Sequence, residues 1–158
     1  MPKLTPFLWF DTQGEDAAAF YASIFPSSKI THVARYGPAG PGPEGAAMTV
    51  SFELEGQQFV ALNGGPAHTP FTEAISFVID CDDQAEVDHY WHALTDGGEE
   101  GPCGWLKDRF GLSWQVVPRR LKELLGDPDR GRAQRAMEAM LQMKKIEIDV
   151  LEQAADRA

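Results

Sequence analysis

The chain has 158 residues, 43% of them hydrophobic, and a formal net charge of −10 at pH 7. This length accommodates one domain with a sizeable core. The acidic balance argues against nucleic acid and anionic membranes as partners, since binding to both depends on clustered Lys and Arg. No apolar run reaches the roughly 18 residues of a membrane span, and no signal peptide precedes the first strand. We therefore predict a cytoplasmic protein with no membrane partner.

The first half of the chain predicts a β-α-β-β-β module at about residues 3–64. Apolar spacing and turn residues predict strands over 4–10, 30–36, 47–54 and 58–63, and a helix from Gly14 to Phe25 that Pro26 ends. Residues 37–45 contain three prolines and four glycines, which predicts an irregular loop. Glu55 and Gly56 predict a hairpin turn.

The second half repeats the beginning of the first. The strand Phe7–Asp11 and its helix with Tyr21 recur as Ser76–Asp80 and a helix with Tyr90. Short strands at about 103–107 and 112–117 complete a second module over about 73–118, so residues 1–118 are predicted to form one domain. Asp11 and Asp80 each lie between a strand and a helix, which favours helix capping over catalysis for both.

Residues 119–158 predict a C-terminal helical extension outside the two modules. Leucines at 121, 124 and 125 mark one apolar face, and Met137, Met140 and Leu141 mark another, after a break at 126–128. Asp149 is expected to cap a short final helix. The methionine-rich face is compatible with packing on its own sheet or on a second subunit, and the sequence leaves both open.

Two such modules in tandem resemble the vicinal oxygen chelate superfamily, which includes glyoxalase I, extradiol dioxygenases and bleomycin-resistance proteins. The block Cys103–Pro118 and the segment Thr5–Phe10 look like its PhnB-like branch, whose members are often labelled 3-demethylubiquinone-9 3-methyltransferase. The resemblance implies an α+β fold in which tandem βαβββ modules form a cupped mixed sheet, the glyoxalase/bleomycin-resistance fold. It also implies a homodimer. The methyltransferase label finds no support in a cofactor motif, because a Gly-rich loop after the first strand is missing and Gly14 stands alone.

Superfamily enzymes hold a divalent metal on the first and last strands of each module. Carried over to this chain, those positions are Pro6 or Phe7, Asn63, Ser76 and Gln115. A catalytic metal needs about three ligands drawn from imidazole, thiolate or carboxylate. These four positions offer an apolar residue, two amides and a hydroxyl instead. We therefore expect no cofactor, and the metal-dependent hypothesis is the less favoured one.

Polar groups among aromatic side chains are typical of small-molecule pockets. The predicted ligand-binding residues are Trp9, Asn63, Ser76, Cys103, Trp105 and Gln115. Strand alternation places Trp114 on the face opposite Gln115, in the core. For Cys103 a small buried thiol is favoured over a reactive nucleophile, and His68 is a weak candidate for acid/base work. No catalytic residue is assigned, and whether the protein is an enzyme stays open.

Three hypotheses follow. The favoured one is a metal-independent protein that binds a small-molecule ligand and whose reaction is unknown. The first alternative is a metal-dependent lyase, isomerase or dioxygenase of glyoxalase type. The second is a resistance protein that sequesters an antibiotic without turning it over.

Overall fold

The computed structural model describes residues 3–66 and 69–157. The chain divides into two compact units, residues 1–70 and 71–158. Each unit contains one four-stranded mixed sheet, and the helical extension belongs to the second unit. The predicted boundary at residue 118 stays a prediction. None of the helices described is both long and apolar enough to cross a membrane.

The first unit has the predicted β-α-β-β-β order, and its sheet runs β1-β4-β3-β2. Strands β1 and β4 are parallel, and the other neighbours are antiparallel. The elements are β1 (Phe7–Phe10), α1 (Gly14–Ile24), β2 (Ser28–Arg35), β3 (Ala47–Leu54) and β4 (Gln57–Asn63).

Helix α1 covers one face of the first sheet. Its buried residues Ala17, Tyr21 and Ile24 recur at helical spacing. The Tyr21 ring lies 6.1 Å from that of Phe52, which stacks on Phe59 at 5.4 Å. These aromatic contacts form the core between helix and sheet.

The predicted hairpin turn joins β3 and β4. Glu55 and Gly56 have φ values of 50° and 83°, and positive φ at both central positions is what a two-residue hairpin of this kind requires.

The second unit repeats this topology, with sheet order β5-β8-β7-β6 and parallel pairing of β5 with β8. The sequence did not predict β6, which is only two residues long. The elements are β5 (Ser76–Cys81), α2 (Gln84–Thr95), β6 (Glu99–Glu100), β7 (Trp105–Lys107) and β8 (Ser113–Pro118). The predicted tandem of βαβββ modules is confirmed.

The extension folds into three helices, α3 (Arg119–Leu125), α4 (Arg130–Met140) and α5 (Ile148–Asp156). Their apolar residues form a buried cluster around Leu124, Ile146 and Leu151, against which Val117 at the end of β8 packs. The main chain between α4 and α5 is also bound, since Cys103 N–H donates to Met143 O at 2.8 Å. The buried face of the extension is therefore covered within its own unit.

The three predicted aspartate caps are wrong. Helix α1 begins after Gln13 without a side-chain cap from that residue, and α2 is capped by Asp83, whose carboxylate accepts from Glu86 N–H. Asp80 is instead an exposed strand residue paired with Lys122. Asp149 lies inside the first turn of α5. Asp11 and Asp149 lie near the starts of α1 and α5 but do not cap them. The first N–H groups of these helices donate instead to side chains that are distant in sequence, Asn63 for α1 and Gln84 for α5.

Candidate functional site

The face of the second sheet that points away from α2 carries the strongest candidate site. Strand alternation buries Ile79 and Trp114 on the α2 side and places Gln115 on the other, as predicted for Trp114 and Gln115. We call this other side the open face; its residues include Ser76, Val78, Trp105, Lys107, Ser113 and Gln115.

Two of the predicted ligand-binding residues meet directly on the open face. The Gln115 side-chain amide donates to Ser76 Oγ at 2.9 Å, which links β8 to β5. Trp105 is the register partner of Gln115 on β7. Ser76, Trp105 and Gln115, three of the six predicted ligand-binding residues, therefore lie on one face of the second sheet.

A cavity of about 400 Å³ opens at this surface near β6 and β7. Its volume falls in the range of small-molecule sites. It is lined by Glu73, Glu99, Glu100, Gly101, Pro102, Trp105, Leu106, Lys107 and Ser113. We call it the β6–β7 cavity.

Ser113 lines this cavity with an unsatisfied hydroxyl. The residue is only 1% exposed, and its Oγ has no hydrogen-bond partner among the described residues. Leaving a buried polar group unpaired costs about 1–3 kcal/mol. A hydroxyl kept at that cost next to a cavity is a ready contact for a ligand.

The sequence prediction missed Ser113, although a signal was present. It lies two positions before Gln115, and residues two apart on a strand share a face. A serine on a strand is unremarkable by itself, because only the tertiary packing shows that its hydroxyl is buried without a partner.

Charged side chains surround the mouth of the cavity. Lys107 Nζ lies 3.0 Å from the Glu73 carboxylate. A hydrogen bond from its own backbone and the bond from Lys107 lower the pKa of Glu73 below its ordinary value. Glu100 accepts from the Trp91 indole N–H at 2.9 Å. The Glu99 carboxylate has no hydrogen-bond or ion-pair partner in the part of the chain described.

Asn63 and Trp9 lie in the first unit, and both have structural partners there. Asn63 Oδ1 accepts from Gly14 N–H at 2.7 Å and so caps α1 from 49 residues away, while its Nδ2 donates to Ala47 O at 3.2 Å. The Trp9 indole donates to Gly65 O at 2.8 Å.

Cys103 is half-buried and does not line the β6–β7 cavity. Its backbone has a positive φ of 58°, and its N–H is bound to Met143 O. The Cys103 backbone therefore binds the segment between α4 and α5 of the helical extension. His68, the weak acid/base candidate, lies outside the described residues.

A second cavity, of about 470 Å³, lies within the first unit between α1, β4 and the Gly- and Pro-rich loop. Its main polar groups already have partners. The Tyr36 hydroxyl donates to Asn63 O at 2.5 Å, and Arg35 donates to Gly45 O at 3.2 Å and lies 3.7 Å from Glu15. It therefore offers a ligand fewer free contacts than the β6–β7 cavity does.

The positions at which the resemblance implies a divalent metal do not fit one. Phe7 has no ligand atom, both amide atoms of Asn63 are hydrogen-bonded, and Ser76 and Gln115 bind each other. Within residues 3–66 and 69–157, no three His, Cys, Asp or Glu side chains come together as a metal site. The donor set is made of hydroxyl and amide groups, which are poor sole ligands for a catalytic metal.

A nucleotide-type methyl donor does not fit the start of α1 either. Doubly wound nucleotide-binding folds expose the N–H groups of this helix end to the ligand. Here Asn63 Oδ1 occupies that end, so close that a Cβ on Gly14 would lie 2.6 Å from it. The site is filled by the protein itself.

Comparisons with known proteins agree with this fold. The family model described as 3-demethylubiquinone-9 3-methyltransferase matches residues 2–117. The PhnB protein from Bacillus cereus is 34% identical, with a TM-score of 0.67, over 74% of this chain and 99% of that one.

More distant structures share the fold alone. Protein PA1353 from Pseudomonas aeruginosa is 20% identical, with a TM-score of 0.62, over 75% of this chain and 98% of that one. The fosfomycin resistance protein FosX from Listeria monocytogenes is 14% identical, with a TM-score of 0.58, over 80% and 98%. Comparison with curated proteins gives no match.

Proposed function

Because the chain belongs to the PhnB-like family described as 3-demethylubiquinone-9 3-methyltransferase, within the vicinal oxygen chelate superfamily, we propose that it binds a small organic molecule without a resident metal ion. The binding site is the β6–β7 cavity and the adjoining open face. Trp105 supplies apolar surface, and Ser113 and Gln115 supply hydrogen bonds that orient the ligand.

The unpaired Ser113 hydroxyl carries this proposal. A buried hydroxyl without a partner destabilises the free protein, and a ligand that binds it removes the penalty. Ser113 lies two residues from Gln115 on the open face, so a ligand that reaches the buried hydroxyl from the cavity lies on the same side of the sheet as the amide.

Metal independence is supported by the chemistry of the side chains present. Ser76 and Gln115 offer only a neutral hydroxyl and a neutral amide, which are poor sole ligands for a catalytic metal ion. A substrate with two adjacent oxygens would then have no Lewis acid to polarise it, so the glyoxalase-type alternative is the less favoured one. We assign no reaction to the site.

A fragment screen followed by two-dimensional NMR tests the proposal. Uniformly 15N-labelled protein is mixed with a library of neutral, cationic and anionic fragments, with and without Mn²⁺, Zn²⁺ or Ni²⁺. The chain has four Trp indoles, so the Trp105 side-chain signal reports the site directly. We expect fragments that shift Trp105 equally well without metal.

Variants assign the binding to the cavity. Ser113→Ala should weaken the fragments that shift Trp105, and Trp105→Ala should weaken the same fragments when binding is read from the backbone amides of β7. His92→Ala, on the exposed surface of α2, should weaken none of them. Fragments that bind only with a stoichiometric metal ion would overturn metal independence. A screen in which no fragment moves Trp105 would overturn the site.

A further inference from the structure

We propose that the β6–β7 cavity selects a small organic cation, whose protonated amine lies between Glu99, Glu100 and Trp105 and whose second polar group reaches Ser113. This assignment rests on the proposed function, because it names the ligand class of the same cavity.

The charges that line the cavity favour a cation. Three carboxylates and one ammonium group line it, which leaves a net charge of −2. Lys107 is bound to Glu73, so its charge is compensated within the protein. Glu99 and Glu100 remain, on a chain whose overall charge is already −10, and their field favours positive ligands.

The carboxylates of Glu99 and Glu100 differ in how many hydrogen bonds they already accept. The Glu99 carboxylate has no hydrogen-bond or ion-pair partner among the described residues, and the Glu100 carboxylate accepts one hydrogen bond, from Trp91 at 2.9 Å. A carboxylate can accept about four hydrogen bonds. Both can therefore accept from an ammonium group without losing an existing contact.

Trp105 adds a second preference for a cation. It is half-buried and lines the same cavity as the two glutamates. An ammonium group over an indole face gains about 0.5–2 kcal/mol, more than a neutral group does. An anion would face the carboxylates and the electron-rich ring together.

Ser113 is the observation that points to a ligand independently of charge. Its hydroxyl is buried and has no hydrogen-bond partner within the described structure, and the residue lines the cavity. A purely aliphatic amine would leave the hydroxyl unsatisfied. The selected cation therefore carries a hydroxyl, carbonyl or second amine as well as its ammonium group.

Matched probe triads test the ligand class. Each triad contains an amine, its neutral N-acetyl derivative and a carboxylate on one skeleton, such as tyramine, N-acetyltyramine and 3-(4-hydroxyphenyl)propionate. Triads on aromatic and aliphatic skeletons are titrated at pH 7, and the Trp105 indole signal gives each dissociation constant. We expect the amine to bind most tightly in its triad and to weaken as salt is added.

A charge-neutral variant locates the ammonium group. Glu99→Gln should weaken amine binding by about threefold to thirtyfold, the loss expected for one charged hydrogen bond, and leave N-acetyl probes unchanged. Glu123→Gln makes the same change on an exposed residue of α3 and should have no effect. Circular dichroism of both variants confirms that they are folded.

The outcomes separate the two proposals. If neutral or anionic probes bind best at Trp105, the cation assignment is wrong and the binding function stands. If amines bind but Glu99→Gln and Ser113→Ala leave their affinity unchanged, the assigned contacts are wrong. If no member of any triad shifts Trp105, both proposals fail.

Discussion

The Trp114 indole N–H donates to the buried carboxylate of Asp108 at 2.9 Å, and this one contact ties strand β8 to the turn that precedes it. Asp108 is 3% exposed, and its other oxygen accepts from the backbone N–H groups of Phe110 and Leu112. The turn therefore closes around a carboxylate. Because β8 begins at Ser113, directly after this turn, the turn fixes the position of Ser113 and, two residues on, of Gln115 on the open face.

Replacing Asp108 with Asn should destabilise the second unit. Both carboxylate oxygens of Asp108 accept from N–H groups. In asparagine one of these oxygens becomes an NH₂ group, which cannot accept, so at least one buried N–H donor loses its partner. We expect the free energy of unfolding to fall by about 2–4 kcal/mol in urea titrations. A double-mutant cycle with Trp114→Phe should show coupling, and additive losses would contradict the direct contact.

Removing the Ser113 hydroxyl should stabilise the protein and impair binding together. Ser113→Ala eliminates an unpaired buried hydroxyl, so the free energy of unfolding should rise by up to about 2 kcal/mol. Ligands of the β6–β7 cavity should bind more weakly, because they lose a hydrogen bond.

The chain provides a matched control for that prediction. Ser28 in the first unit also has a buried hydroxyl without a partner in the described structure, but it lines neither cavity. Ser28→Ala should give a similar gain in chemical denaturation and leave ligand affinity unchanged. A Ser113→Ala variant that unfolds more easily would show that the hydroxyl has a structural partner.

Gln115→Leu should weaken ligand binding more than folding. The side chain is only half-buried and makes one bond, to Ser76, so water can replace it there; we expect a stability loss below about 1 kcal/mol. If the amide orients a ligand, affinity should drop by roughly threefold to a hundredfold in calorimetric titrations. A variant that melts several degrees lower and binds as before would make Gln115 structural.

The sequence predicted the modules well because their signals are local. The repeat of strand, helix and tyrosine, and the Glu55–Gly56 turn, depend on residues close together in the chain. Alternation also placed Gln115 and Trp114 on opposite faces correctly. The spacing of apolar residues and the residue types that favour turns are enough to predict such features.

Contacts across long stretches of chain were not predictable in the same way. The first N–H group of helix α1 donates to Asn63 and not to Asp11. The first N–H group of α5 donates to Gln84 and not to Asp149. The unpaired state of Ser113 depends on the packing of several strands. Residue types alone do not show which polar atoms lack partners after folding.

The pair Asp88–Lys145 predicts a pH window for docking of the extension. Lys145 Nζ lies 2.7 Å from Asp88, and this bond lowers the pKa of Asp88 below its ordinary value and raises the pKa of Lys145 above its ordinary value. Gln84 adds to the shift at Asp88, and Glu147 adds to that at Lys145.

The two signs set the limits of the window. Stability from Asp88 is present above about pH 4 and is lost as the pH falls through its lowered pKa, whereas stability from Lys145 is lost as the pH rises through its raised pKa. Because Asp88 is 41% exposed, the contribution is about 0.5–1 kcal/mol. Urea titrations from pH 3 to 11 should show the free energy of unfolding falling at both the acidic and the alkaline end, and Asp88→Asn should reduce both decreases.

The last prediction concerns Gln84, which holds the helical extension by both ends of its amide. Its Nε2 donates to Ile146 O at 2.9 Å, and its Oε1 accepts from Ile148 N–H, the first residue of α5, at 2.8 Å. The side chain thus supplies the cap that α5 lacks locally and fixes the segment before it.

Gln84→Ala should loosen the extension without unfolding the sheet. The variant loses three hydrogen bonds, one to Asp88 within α2 and two to the extension. The two to the extension predict about 1–3 kcal/mol less protection against local opening, so hydrogen exchange at Ile146, Ile148 and along α5 should accelerate by roughly five- to a hundredfold. Amides of β8 should keep their protection. Gln134→Ala removes an exposed glutamine whose side chain donates to Glu138 on the same helix, and it should leave exchange in α5 unchanged. If Gln84→Ala behaves like Gln134→Ala, the buried cluster around Leu151 holds the extension by itself.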